Sequence, residues 1–234
     1  MKRALFLASL ASVVVTGMIL FTLFREAWTF TSDLIRTAGL GALLDRGVKP
    51  GWYPRDGRFD LLTIVSGSII VSAVAMVVAA PLGLGSAIYL AEYASPRARR
   101  WLKPTLEVLA GIPSVVFGFF ALRLLGPDIV QPLFDTPQAT SLLVTGVAVG
   151  LLVTPLMASV SEDALRAVPT SLREASTGLG ARRSATTLKV VLPAAVSGIV
   201  AALIISISRA IGETMVAALA SGRLGSAPRV VDPR

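Results

Sequence analysis

Glu174-Ala-Ser-Thr-Gly-Leu-Gly180, then nine residues, then Val190-Val-Leu-Pro193, is a polar stretch set between two long apolar segments, residues 139–160 and 196–218. Its reading decides the fold. From Leu165 the apolar residues fall at Leu165, Val168, Leu172, Ala175 and Leu179, in steps of three and four that describe one helical face. Gly180 can adopt the left-handed conformation that ends such a helix. A second amphipathic helix through Leu188 and Val191 leads to Leu192 and Pro193. Proline is well placed to begin the next span, because the first helical turn needs no donor. The spacing predicts two short helices joined by a glycine bend within residues 161–195.

The rest of the chain says what this hairpin projects from. Of 234 residues, 54% are hydrophobic and 15% charged, with a mean hydropathy of +0.74. A soluble domain carries roughly 25% charged residues. The shortfall, together with apolar runs of about 20 residues, indicates an all-α polytopic membrane protein whose helix bundle packs in a lipid bilayer. A net charge of +8 could suggest nucleic acid. Aromatic residues are few, no nucleic-acid motif occurs, and the basic residues cluster beside apolar spans, so the charge reads as a topology signal. The chain has no cysteine and no histidine. That excludes disulfides, thiol chemistry, histidine acid–base catalysis and zinc sites of the usual ligand sets.

Five spans are expected. An apolar run from Ala4 to Phe24 is longer than a signal-peptide core and reads as an uncleaved first span. Residues 25–60 are polar and turn-rich and form a first external loop. Residues 61 to about 90 make a second span, and residues 105–125 a third, broken at Gly111-Ile112-Pro113. Such breaks line cavities in transporters or simply kink a helix. Residues 126–138 form a short turn, 139–160 a fourth span and 196–218 a fifth. Arg123 is expected near the outer end of its span, snorkelling to the interface. The domain reading is a first helix and loop over 1–60, a transmembrane core over 61–218, and a polar tail over 219–234.

The short loops set the orientation. Lys2-Arg3, residues 92–104 and residues 161–195 hold two, four and five basic residues, whereas residues 126–138 hold none. By the positive-inside rule the N-terminus and the hairpin are cytoplasmic, and residues 25–60 face outward.

The fifth span contains Ser206-Ile-Ser-Arg209-Ala-Ile-Gly-Glu213-Thr214. Arg209 and Glu213 are four residues apart and are expected to share a helix face and pair, with Ser206 one turn back. A charge near mid-bilayer costs roughly 2.5–3.5 kcal/mol on insertion scales and usually faces a pathway or the bundle interior. A purely structural ion pair between helices is the plainer reading. The functional reading is an anion route, in which a guanidinium fork replaces part of a lost hydration shell and Glu213 keeps the hold weak enough for release.

Two resemblances sharpen these readings. The spacing Glu-Ala-Ser-x3-Gly-x9-Val-x-Leu-Pro resembles the cytoplasmic coupling loop of bacterial ABC-importer permeases, with Ser176 for alanine and Val190 for isoleucine. Gly111-Ile-Pro-Ser-Val-Val-Phe-Gly-Phe-Phe120, Ser208-Arg-Ala-Ile-Gly-Glu-Thr-Met215 and Pro81-Leu-Gly-Leu-Gly85 with Tyr89-Leu-Ala-Glu-Tyr93 resemble the phosphate-specific (Pst) permeases. The Ala-Ile-Gly-Glu-Thr-Met form is closer to the PstC-type subunit than to its PstA-type partner. The resemblance implies a MetI-like permease helix bundle in the inner membrane, carrying inorganic phosphate past Arg209, Glu213, Ser206 and Thr214. It also implies an ATPase-docking hairpin that uses Glu174, Ala175, Gly180, Leu192 and Pro193. The implied partners are a second homologous permease, an ATPase dimer and an extracytoplasmic phosphate-binding protein.

Permeases of this type normally have six spans, and the tail Ser221–Arg234 shows no apolar run. A truncated or non-transporting subunit is therefore one alternative, and a permease for molybdate, sulfate or phosphonate is another. An ion-coupled carrier would need no coupling loop. No GxxxxGK[ST] loop occurs, so ATP is expected to be bound by the partner, and the chain is not expected to be an enzyme.

Overall fold

The computed structural model describes residues 2–38, 52–53, 58–134 and 141–221. It divides into two units, Met1–Thr63 and Ile64–Arg234. In the first unit, helix α1 runs over Lys2–Ala38 and is followed by a two-residue ribbon, β1 (Trp52–Tyr53) antiparallel to β2 (Arg58–Phe59). The expected loop over 25–60 is thus helical to Ala38, because apolar residues such as Trp28 and Phe30 continue past the Arg25-Glu26 pair.

The chain then folds as helices α2 (Leu61–Tyr93), α3 (Pro96–Ala110), α4 (Ser114–Phe134), α5 (Leu142–Arg166), α6 (Thr170–Gly178), α7 (Arg183–Ala194), α8 (Val196–Ile211) and α9 (Met215–Ala220). Caps mark several starts. The Asp60 carboxylate accepts from the Thr63 amide and hydroxyl, Ser95 accepts from the Ala98 amide, and Ser141 accepts from the Val144 amide. Pro81 and Pro155 lie inside α2 and α5 without ending them, as membrane helices tolerate. Tyr89–Tyr93, Ala121–Val130 and Thr187–Val191 are wound as π-helix, a form frequent at functional sites.

Four helices are long and apolar enough to cross a membrane, at Leu5–Asp33, Leu61–Tyr93, Ser114–Phe134 and Leu142–Arg166. A fifth is reached if α7 and α8, bent by 70° where they meet, count as one broken span. Helix α8 alone has 16 residues and is about 24 Å long, short of a hydrocarbon core of about 30 Å.

Five span boundaries move by six residues or more, two of them because the first span runs on to Asp33 and the fourth to Arg166. The third span begins at Ser114, not at residue 105, and continues to Phe134, so the turn expected from residue 126 is helical; residues 135–140 lie outside the described set. Gly111 and Pro113 are therefore the entry to a span rather than a break within one. As a result Arg123 sits near the middle of α4, with its guanidinium 5.7 Å from the Phe119 ring, and not at the outer end. The fifth span does not run unbroken over 196–218. It stops at Ile211, with Gly212 as its C-cap, and restarts at Met215. Most of the polar tail, residues 222–234, lies outside the described residues.

Helix α5 is the centre of the second unit. Its buried face packs against α2, α4, α8 and α9 through one cluster that includes Ala75, Ala121, Val149, Val153, Ala210 and Val216. In lipid no hydrophobic force pulls helices together, so close packing through small residues holds them. A Cβ on Gly150 would lie 2.7 Å from the Ala75 carbonyl oxygen, and one on Gly118 would lie 2.7 Å from a Leu219 methyl. These glycines set how closely α5 meets α2 and how closely α4 meets α9.

Candidate functional site

The hairpin is built by α6 and α7. Pro169 precedes α6 with extended backbone (φ −55°, ψ 139°), so α5 cannot run on into it. At the far end Gly180 has φ +82°, its amide donates to the Thr177 carbonyl, and the Ala181 amide donates to the Ser176 carbonyl. This is a Schellman closure, and Gly180 occupies its left-handed position as expected. The hydroxyls of Ser176 and Thr186, 2.9 Å apart, tie the two arms together.

The five apolar residues from Leu165 to Leu179 do not form one helical face. Leu165 ends α5, and Val168 lies in the turn before Pro169. Both are buried beside Val191, Ala195 and Ile199. Leu172 and Ala175 are on α6 and Leu179 is its C-cap residue; all three are exposed, Leu179 at 90%. One part of the series roots the hairpin and the other crosses its outer surface, together with exposed Glu174 and Gly180. Leu188 and Val191 likewise separate, the first exposed and the second buried. Leu192 packs on the root cluster, and Pro193 sits in the last turn of α7 before the bend at Ala195 rather than in the first turn of the span.

The root is fastened by residues that the spacing does not reveal. The Arg173 guanidinium donates to Glu92 Oε1 from Nη2 at 2.9 Å and from Nε at 3.2 Å. It also donates to the carbonyls of Val168 at 2.6 Å and Leu165 at 2.8 Å. Glu92, at the end of α2, is only 8% exposed. Arg183 of α7 donates to the Glu92 carbonyl and lies 5.2 Å from the Tyr93 ring. Two arms of the hairpin thus grip one residue of α2, and Arg173 also grips the end of α5.

The fifth-span residues are brought together less than expected. Arg209 and Glu213 do not pair, because the helix ends between them. Arg209 is in the last turn of α8, exposed, and makes no ion pair or side-chain hydrogen bond among the described residues. The Glu213 carboxylate turns to the start of α9 and accepts from the amides of Met215 at 3.1 Å and Val216 at 3.3 Å. Thr214 is the exposed N-cap residue of α9. Ser206 is fully buried and shares the α5-facing side with Ala202 and Ala210, its hydroxyl 3.5 Å from the Met157 sulfur. Arg209 therefore stands without Ser206 or Glu213 against its guanidinium. Gly111 and Pro113 form the turn between α3 and α4, with the Gly111 amide donating to the Val108 carbonyl.

Residues 79–230, well over half of the chain, match the family described as binding-protein-dependent transport system inner membrane component. The chain belongs to this family. This inner membrane component is 36% identical over 193 residues to a probable ABC transporter permease, YqgH, of Bacillus subtilis, a match covering 79% of this chain and 62% of that protein. It is 30% identical over 226 residues to the phosphate transport system permease protein PstC of Mesorhizobium japonicum, covering 89% and 67%. The chain thus spans about two thirds of the length of these relatives. A chain of the MetNI methionine ABC transporter in inward-facing form shares the fold, with a TM-score of 0.55 and 22% identity, covering 69% of this chain and 73% of that one. The MetI-like permease bundle is therefore the fold of this multi-pass inner membrane component.

Among the residues that the sequence reading passed over, Glu92 carried the clearer signal. It stands within Tyr89-Leu-Ala-Glu-Tyr93 at the end of an apolar run, where an acid needs a partner. Nothing in the sequence points from it to Arg173.

Proposed function

We propose that the chain is the transmembrane permease subunit of an ATP-driven importer of inorganic phosphate. The observation that carries this reading is the hairpin itself, which exposes Glu174, Ala175 and Leu179 at its outer surface while its root is fixed to α2 and α5 by Arg173 and Arg183. Leu172, Ala175 and Leu179, spaced three and four residues apart, are exposed together on this surface, an apolar strip of the kind a docking partner covers. The partner is an ATPase, one copy on this hairpin and a second on the hairpin of a homologous permease, with a phosphate-binding protein on the outer face. The N-terminus and hairpin are cytoplasmic, as the basic loops indicate. ATP is hydrolysed by the partner, and this chain does no covalent chemistry.

The substrate assignment rests on the phosphate transport system permease among the relatives and on Arg209. A phosphate ion entering an apolar route loses water. A guanidinium fork with no carboxylate against it among the described residues offers replacement donors at one fixed point. ATP-driven closure of the ATPases moves the hairpins, and the fixed root passes that movement to α2 and α5. The opening then alternates between the two sides.

Labelled-phosphate uptake tests the reading in cells lacking their own phosphate permease, with the chain expressed beside its partner subunits. Uptake that excess sulfate and molybdate leave unchanged is the expected result. Uptake that molybdate or sulfate competes away would reassign the substrate to another oxyanion.

A further inference from the structure

Helix α3 lies at the hairpin end of the bundle, since it follows Glu92 and Tyr93, to which Arg173 and Arg183 attach. It has no buried residue and two unlike exposed sides. Trp101 and Val108, 78% and 71% exposed, form an apolar strip with Leu102 and Leu109. Round the helix from that strip, Lys103 reaches Glu162 and Asp163 of α5, each at 2.7 Å, and Arg99 also bonds to Glu162. These contacts fix α3 to α5 by its polar side and leave the apolar strip outward.

Beside the contact is an open groove of about 650 Å³, lined by Arg99, Arg100, Lys103, Arg166 and Glu107. The cations in it are not equally engaged. Glu162 is fully buried and neutralised by Arg99 and Lys103. Arg166 comes no closer to Glu162 than 3.9 Å, and Arg100 makes no ion pair or side-chain hydrogen bond among the described residues. Two guanidiniums therefore face the groove with spare donors, and Glu107 is the one carboxylate among its described lining residues.

We propose that this groove binds the phosphate group of an anionic phospholipid, with α3 lying in the membrane interface. A helix with Trp and Leu on one side and Arg and Lys on the other is the form that settles at the headgroup level. Basic pockets at the cytoplasmic ends of spanning helices receive anionic headgroups. The strip of Trp101, Leu102, Val108 and Leu109 seats α3 against the acyl region, and on the other side of the helix Arg100 and Arg166 take the phosphate oxygens of a headgroup through charge-assisted hydrogen bonds. A lipid headgroup fits better than a free anion because the groove is open and not enclosed, and the outward strip on the other side of α3 seats the helix at the headgroup level, where anionic phosphates are concentrated. The site is separate from Arg209 and does not depend on what the chain transports.

The test uses the full chain purified in mild detergent from membranes containing phosphatidylglycerol and cardiolipin, with retained phospholipid identified by mass spectrometry. Arg100→Gln and Arg166→Gln leave the Arg99 and Lys103 contacts to Glu162 intact, so the fold is retained. Each cation removed should lower retention of anionic lipid roughly fivefold. Glu107→Gln should raise it, which no folding defect would do. Arg97→Gln, with the same charge change on the same helix but outside the groove, should leave it unchanged. Equal retention in wild type, Arg100→Gln and Arg166→Gln would overturn the proposal. So would loss of inorganic-phosphate binding in those variants with lipid retention unchanged, which would make the groove a free-anion site.

Discussion

Arg173 and Glu92, 81 positions apart in the chain, meet at 2.9 Å where the hairpin joins the bundle. The same guanidinium holds the carbonyls of Leu165 and Val168, so one side chain ties α6 to both α2 and α5.

Removing either partner leaves a largely buried charge without its mate. Glu92→Gln should lower stability by about 2–3 kcal/mol, at the lower end for a broken buried pair because Arg173 is partly exposed. Arg173→Lys should do the same, since one ammonium cannot serve a carboxylate and two carbonyls. The reciprocal swap of the two residues should not restore stability, because glutamate at 173 cannot donate to Leu165 and Val168. Thermal unfolding of the purified variants measures this. A full rescue by the swap would reduce Arg173 to a simple ion pair.

Gly180 is required for its backbone and not for the space around it. A Cβ there meets nothing within 4 Å. At φ +82° alanine should cost about 1–2 kcal/mol of hairpin stability, asparagine less and valine more. Uptake per inserted chain should follow the order Gly, Asn, Ala, Val. Loss in Gly180→Asn equal to that in Gly180→Val would mean that the partner surface needs a bare backbone at this point.

Gly150 presents the opposite case. Its Cβ position falls 2.7 Å from the Ala75 carbonyl oxygen and 2.8 Å from the Val78 Cβ. Gly150→Val should push α5 off α2 and cost about 1–3 kcal/mol or more. Gly85→Ala on α2, where nothing lies within 4 Å, should be neutral or stabilising. Thermal unfolding separates the two.

Lys103 gives the α3–α5 contact a pH limit. Its hydrogen bond to Asp163, then that to Glu162, raises its pKa above the ordinary 10.5. A cation whose pKa is raised on folding stabilises fully below the unfolded value and loses that contribution as pH rises through the folded one. Thermal stability should therefore show no Lys103-dependent change between about pH 7 and 10 and should fall above about 10.5. In Lys103→Met the alkaline fall should be smaller. An alkaline fall of the same size in both proteins would remove Lys103 from this contact.

The hairpin was legible because its signal is local. Gly180 punctuates a short polar segment, and its backbone requirement is met within a few residues; Pro169, which divides the face expected from Leu165 to Leu179, did not enter that reading. The second and fourth spans were legible for the same reason, since an apolar run of that length has few other uses. What escaped depended on partners distant in sequence or on a choice that composition leaves open. Residues 105–110 lead toward the apolar run of α4, yet Lys103 and Arg99, about one and two turns earlier, bind Glu162 and hold the segment as part of α3. The spacing of Arg209 and Glu213 would have paired them had the helix continued. Gly212 ends it, and Glu213 instead satisfies amides of the next helix. The contact between Arg173 and Glu92 is tertiary and left no periodicity to read.

The central claim is that Arg209 stands on the route of phosphate through this chain. Labelled-phosphate uptake should be compared for wild type, Arg209→Ala and Arg209→Lys, expressed with the partner subunits and normalised to membrane abundance. The account predicts that Arg209→Ala abolishes uptake at normal abundance and that Arg209→Lys retains only part of it, since an ammonium keeps the charge without the fork. Wild-type uptake by Arg209→Ala would contradict it.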